Sequence, residues 1–363
     1  MRIALDATPL VEPAGGLARY VAELALALAQ NQPDDEVHLL SDQTELWWDP
    51  RLESLPNVRR EPGSGWARSK WWSLGLPLEL RRRRIDVFHG TDFAVPYVPV
   101  TPSVMTLHDL SPWKPEPLRP PGSERVRRRT PRLLRLARRV ITPTEAIRRE
   151  AIAAFGLAPE RVQAVHHAPS EALAAPEPAR AGALRAALGA PPRYLLAIGA
   201  GNERKNIPCL VEAWKKARRS DAELGLVIVG AGAGRYAAEG CAALLALELA
   251  DDEQTAALLS GALAFVYPSL YEGFGLPVVE AMRSGVPVLA SQDPAVVEAA
   301  GGAAWHFDAR SSDELAGLIG KLASDPAAAE SLRMQGYRRA AELSWRKTAE
   351  ATRKIYEQVL GRV

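Results

Sequence analysis

The stretch "YPSLYEGFGLPVVEAMRSGVPVLAS", residues 267–291, decides the reading of the chain. An apolar run, "LAFVYPS", leads into it and ends at Ser269. Gly273 and Gly275 follow, then Pro277, which suits the first turn of a helix, where a missing N–H costs nothing. The unit is a strand, a glycine loop and a helix. In an open parallel sheet it places its loop at the carboxyl ends of the strands, where such sheets bind ligands. The helix start adds free N–H groups and a positive dipole end. Glu272 lies in the loop and Glu280 one turn inside the helix. Two carboxylates so placed admit three readings. They are an acid/base pair that cleaves a glycosidic bond, or holders of vicinal hydroxyls on a ribose or hexose, since a carboxylate accepts two hydrogen bonds. The third reading is a pair of solvated or capping side chains, because glycine loops before helices are common.

The same alternation of short apolar strands and helical stretches runs outward in both directions. Upstream stand "RIALDA", "EVHLL", "DVFHG", "SVMTLHD", "RVITPT" and "RVQAV", with helical stretches over 18–30 and 144–155. From Ala168, "APSEALAAPEPARAGA" is rich in Ala and Pro, lacks an apolar period and reads as a linker running into a short helix. A second series follows: "YLLAIGAG", a helix over 206–219, "LGLVIVGAG", "LAFVYPS", a helix over 276–284 and "VPVLAS". The last ~50 residues are almost wholly helical and amphipathic. Alternation of this kind predicts parallel sheets covered on both faces. The expected class is α/β, with two doubly wound domains over 1–170 and 171–345 and a final helix over 346–363.

The bulk numbers agree. The 363 residues exceed one ordinary domain, and 47% hydrophobic content can fill two cores. A net charge of +2 gives no pull toward nucleic acid. Cys209 and Cys241 have no neighbouring Cys or His at metal-ligand spacing and read as reduced thiols, which suits a cytoplasmic protein. No run approaches the ~18 apolar residues of a membrane span. Arginine is dense in "RVRRRTPRLLRLARR", 125–139. A peripheral contact with an anionic membrane surface is one reading, and a solvated helix face covering the sheet is the more frequent one. Trp47–Trp48 and Trp71–Trp72 line an acceptor groove, insert in lipid, or, more often for such residues, pack in a core.

Other glycine turns carry candidate chemistry. In "GAGNERKN", 199–206, Gly199 and Gly201 precede adjacent cations, Arg204 and Lys205. A guanidinium fork beside an ammonium point charge suits a diphosphate, while a solvated helix start is the plain alternative. "EPAGGLARY", 12–20, places Gly15 and Gly16 between the first strand and the first helix. "LHDL", 107–110, puts His108 and Asp109 at a strand end, with His89 at an equivalent edge.

Taken together, "YPSLYEGFGLPVVEAMRSGVPVLAS", "GGLARY", "DVFHG", "LHDL" and "GNERKN" resemble, in order and over nearly the whole chain, the retaining family-4 glycosyltransferases. Their Glu-x7-Glu signature matches Glu272 and Glu280. The resemblance implies a GT-B architecture: two Rossmann-like domains facing across a cleft, the last helix crossing back to the first. It implies that Glu280 binds the ribose of a nucleoside-diphosphate sugar and Glu272 the sugar hydroxyls, near the backbone N–H groups of Gly273, Phe274 and Gly275, with Leu276 beside them. Gly199, Arg204 and Lys205 would hold the diphosphate, Gly15 and Gly16 would approach it, and His108 would lie beside the sugar. His108, Glu272, Arg204 and Lys205 are thus the implied catalytic set. The glutamates then hold hydroxyls rather than cleave a bond. The implied reaction is a metal-independent, front-face transfer of a hexose or deoxyhexose to a hydroxyl acceptor, with no cofactor. The chain departs from the family at His166–His167, where an Asn-Gly pair is usual, and at Glu248, where a glycine is usual near the base. Three rivals remain. For an oxidoreductase, the third glycine of G-x-G-x-x-G is replaced by Arg204 and by Arg235. The others are a sugar-nucleotide epimerase and a non-catalytic sugar-nucleotide binder.

Overall fold

The computed structural model describes residues 1–11, 15–62, 69–174, 176–237 and 243–362. Cys241 and residues 12–14 of the first glycine loop lie outside them. The chain divides into two compact units, one of Met1–Trp113, Pro121–His167 and Ser344–Val363, the other of Lys114–Pro120 and Ala168–Leu343.

The first unit holds one sheet of β1 (Arg2–Asp6), β2 (Glu36–Ser41), β3 (Val58–Pro62), β4 (Val87–Gly90), β5 (Ser103–Thr106), β6 (Arg139–Thr142) and β7 (Val162–Ala164). The second holds β8 (Tyr194–Ile198), β9 (Gly225–Val229), β10 (Leu244–Leu247), β11 (Ala264–Tyr267), β12 (Val288–Ser291) and β13 (Trp305–Phe307). Every described pairing is parallel, in the orders β3-β2-β1-β4-β5-β6-β7 and β10-β9-β8-β11-β12-β13. These are two doubly wound, Rossmann-like sheets. Each reverses its winding at one switch point, between β1 and β4 and between β8 and β11.

Parallel strands covered on both faces cannot alternate in polarity. β9 reads GLVIV and is buried throughout, as are β4, β5, β11 and β12. In the second unit Trp214 and Phe307 lie among the side chains on one face, and Phe265, Tyr267 and Met282 on the other. In the first unit Trp71 is core, packed with Phe88 and Leu80, whereas Trp48 lies under the Arg60 guanidinium. Helix starts follow their caps. Thr144 Oγ1 accepts from Ile147 N–H at 3.2 Å, and Asp251 and Gln254 form a capping box.

The helix Trp345–Val359 packs within the first unit. Tyr356 Oη meets His89 Nδ1 at 2.7 Å, and Arg353 Nε donates to Asp35 at 2.9 Å. Opposite, His89 Nε2 meets Thr106 Oγ1 at 2.7 Å, which in turn meets Tyr20 Oη at 3.1 Å. This buried chain fixes β4, β5 and the first helix against the last.

Candidate functional site

The switch point of the second sheet gathers most of the expected residues. The loop after β8 carries Arg204 and Lys205, and the loop after β11 carries Glu272. Arg204 Nη1 donates to Glu272 Oε2 at 3.0 Å and to the Tyr271 carbonyl at 2.7 Å. Lys205 Nζ donates to Glu272 Oε1 at 2.7 Å and to Tyr267 Oη at 2.9 Å, its charge 4.9 Å from the Tyr267 ring centroid. The Leu270 N–H reaches the Arg204 carbonyl at 2.8 Å, so the two loops are also joined through the main chain.

The backbone aims these groups. Gly275 takes φ 96°, a left-handed conformation that starts the helix Leu276–Arg283 with Pro277 in its first turn. Phe274 is buried against Val279 and Ala299 and pins the loop from below. Asn206 also takes a positive φ, 53°, and its side-chain amide donates to the carbonyls of Pro268 and Ala309 at 3.2 and 2.6 Å. Gly199 lies under the Lys205 stem; a Cβ there would stand 3.3 Å from Lys205 Cε.

The electrostatics are one-sided. Burial pushes the Glu272 carboxyl upward, but Lys205 and Arg204 outweigh it and hold the group at about 2. Burial lowers Lys205, and Glu272 more than reverses this. Burial, aided by Glu272, pushes Tyr267 to about 12. Burial pushes Asp293 up to about 6, with the Glu272 charge adding to it; Asp293 accepts the Glu272 N–H and caps the next helix. Arg204 and Lys205 converge on the single Glu272 carboxylate beside a helix N-terminus, while Glu203 of the same loop is exposed, and such paired cations suit a diphosphate. Glu280 is 6% exposed on the helix that begins at Leu276.

The remaining expected residues lie in the first unit. Gly15 and Gly16 stand at the start of the helix Gly16–Asn31, and among the described residues nothing lies within 4 Å of a Cβ placed on Gly15. His108 Nε2 donates to the Thr91 carbonyl at 2.7 Å, and its ring meets Tyr20 edge-on at 4.7 Å. Burial pushes His108 down to about 4, so it is neutral at neutral pH and presents Nδ1 as a lone pair. Glu248 accepts N–H groups of Gly232 and Gly234 at 2.6 and 2.8 Å, bracing the glycine turn after β9. Among the described residues, no three His, Cys, Asp or Glu side chains are arranged as metal ligands, and no helix is long and apolar enough to cross a membrane. Sequence reading passed over Tyr267, Asn206 and Asp293. Only the Asn before Ile-Pro in "RKNIP" hinted at a turn residue.

Comparison with known proteins agrees with this geometry. The family model described as Glycosyl transferases group 1 matches residues 184–339, and that of Glycosyltransferase Family 4 matches 14–168. The Mycobacterium tuberculosis α-maltose-1-phosphate synthase is 31% identical over 71% of this chain and 73% of its own length. The Escherichia coli O-antigen chain mannosyltransferase B is 27% identical over 98% of this chain and 100% of its own. The MMP α-(1→4)-mannosyltransferase of Mycolicibacterium hassiacum is 43% identical over 116 residues, 31% of this chain, and the match spans 28% of that protein. In fold, the chain is similar to sucrose-phosphate synthase from Thermosynechococcus elongatus, with a TM-score of 0.74 at 21% identity and all of both chains covered. Two Rossmann-like sheets, the cation–carboxylate cluster at the second switch point and similarity over most of its length have one reading: the chain belongs to the family 4, group 1 glycosyltransferases of GT-B fold.

Proposed function

We propose that this glycosyltransferase moves a hexosyl or deoxyhexosyl group from a nucleoside-diphosphate sugar to a hydroxyl acceptor, with retention and without a metal. The observation that carries the reading is the triangle of Arg204, Lys205 and Glu272 at the second switch point. A glycosidase needs a carboxylic acid whose pKa is raised so that it can protonate the leaving group. Glu272 is driven the other way, to about 2, and is no proton donor at neutral pH. Arg204 and Lys205 supply the positive charge that a departing diphosphate requires. The anomeric carbon–phosphate oxygen bond breaks as the acceptor oxygen bonds the same face, and the acceptor proton passes to the departing phosphate oxygen. The names of two relatives favour a mannosyl donor. A cytoplasmic location is part of the proposal, supported by the free thiol of Cys209. Contact with an anionic membrane surface is supported only by the exposed Arg125, Arg128, Arg132 and Arg135 of the helix Glu124–Leu136.

The test is a panel of UDP-, GDP- and dTDP-sugars with and without hexoside acceptors, reading nucleotide release in excess EDTA. Acceptor-stimulated release that survives the chelator is the expected result. Reduced nicotinamide, epimerised donor, or binding without release would turn the reading to the oxidoreductase, the epimerase or the inert binder. Loss of release in EDTA would overturn metal independence. Within the same assay, Glu280→Ala should weaken nucleotide affinity by about tenfold or more, the scale of hydrogen bonds made by a charged group, with turnover at saturating donor little changed. An unchanged dissociation constant would remove Glu280 from the ribose.

A further inference from the structure

The first sheet has a switch point of its own, between β1 and β4, lined by charges outside the donor set that the resemblance implies. Asp6 ends β1, Asp92 follows β4 by two residues, and Asp109 lies just beyond β5. Arg129, from the helix Glu124–Leu136, acts electrostatically on both Asp6 and Asp92.

The chain is bent to present Asp92. A Cβ on Gly90 would lie 1.5 Å from the Ala94 carbonyl oxygen, so only glycine lets the chain double back over the strand end. Phe93 takes φ 51°, and its N–H reaches the Thr106 carbonyl at 3.3 Å. Thr91 is clamped on both sides: its Oγ1 donates to the Asp6 carbonyl at 2.7 Å, and its carbonyl accepts from His108. Asp6 Oδ1 accepts from Thr8, and Asp109 Oδ1 accepts from Ser111. Asp92 Oδ1 differs. It is sealed from solvent and, among the described residues, has no hydrogen-bond partner, and the same holds for Arg129 Nε. Enclosed polar atoms are almost always satisfied, so two orphans at one switch point mark a place where a ligand supplies the partners.

We propose that Asp92 and Arg129 recognise hydroxyl groups of a sugar acceptor, the carboxylate accepting from one hydroxyl and the guanidinium donating to its neighbour. A vicinal diol offers both functions, whereas a phosphate would face Asp6, Asp92 and Asp109. The inference rests on the transferase reading. Burial, with the charges of Asp6 and Asp109 added and that of Arg129 opposing, pushes Asp92 up to about 7. Hydroxyl capture by its ionised form therefore strengthens as pH rises through neutrality.

The experiment separates donor from acceptor. Nucleotide release to water and transfer to methyl α-mannoside and methyl α-glucoside are measured for the wild type, Asp92→Asn and Arg129→Met. Each variant should raise the KM for the hexoside by about tenfold or more while leaving donor hydrolysis and donor KM unchanged. The rise of hexoside kcat/KM through about pH 7 should vanish in Asp92→Asn. Arg129→Met keeps the test decisive if Asp92→Asn fails to fold. Equal losses in hydrolysis and transfer, unchanged hexoside KM in both variants, or a wild type that hydrolyses donor but ignores hexosides would overturn the proposal. A wild type that releases no nucleotide from any donor would instead remove the transferase reading, and this inference with it.

Discussion

Lys205→Ala is expected to lower turnover at saturating donor by about 100- to 1000-fold, the cost of removing one preorganised partner of a developing oxyanion. Lys205 Nζ is held by Glu272 at 2.7 Å and Tyr267 at 2.9 Å, so the charge is in place before any substrate arrives. A preorganised charge acts on the departing diphosphate with no reorganisation, and its effect falls on kcat more than on donor KM. Lys205→Arg should rescue little. The lysine stem lies against Gly199, and a planar guanidinium is broader than the ammonium it would replace. The measurement is nucleotide release under saturating donor, with Lys215→Ala as a surface control. A loss within about threefold would amount to less than 1 kcal/mol and deny Lys205 a part in leaving-group departure.

How much of this was legible in the sequence depended on whether the signal was local. The parallel-sheet class was readable because strands such as β9 and β11 are unbroken apolar runs between helices. β3 was not, because Val58–Pro62 reads VRREP; among the described strands it lies at the edge, paired with β2, and charge is how edges are protected. β10 and β13 were missed for other reasons. "LLAL" fits helix or strand equally, and "WHF" is too short for a period. In the site, the glycine loops and adjacent cations announced themselves. The pairing of Glu272 with residues 67 and 68 positions earlier did not, since it arises only when β8 and β11 become neighbours. Asp92 was equally silent: a lone aspartate in "HGTDF" acquires meaning only once Gly90 folds the chain back and Arg129 arrives from another helix.

Glu272→Gln is expected to cost about 3 kcal/mol of folding stability, because it leaves two part-buried cations without the buried carboxylate they share. The wild-type pH dependence provides the check on sign. The Glu272 pKa is depressed from an ordinary 4.5 to about 2, so the stabilisation is fully present above 4.5 and disappears as pH falls through about 2. That interval corresponds to about 3 kcal/mol, and this part of the acid limb should be missing from the variant. Nucleoside diphosphate then distinguishes the two jobs the glutamate can have. If Glu272 chiefly holds Arg204 and Lys205 apart and aimed, a diphosphate restores the lost negative charge, and saturating GDP or UDP raises the melting temperature of Glu272→Gln more than that of the wild type. If it chiefly grips sugar hydroxyls, nucleotide stabilises both proteins equally, and only the extra stabilisation given by the intact nucleotide sugar is lost. The hydrogen bonds from both cations to opposite oxygens of the one carboxylate favour the first outcome. Equal nucleotide shifts with the sugar increment abolished would overturn it.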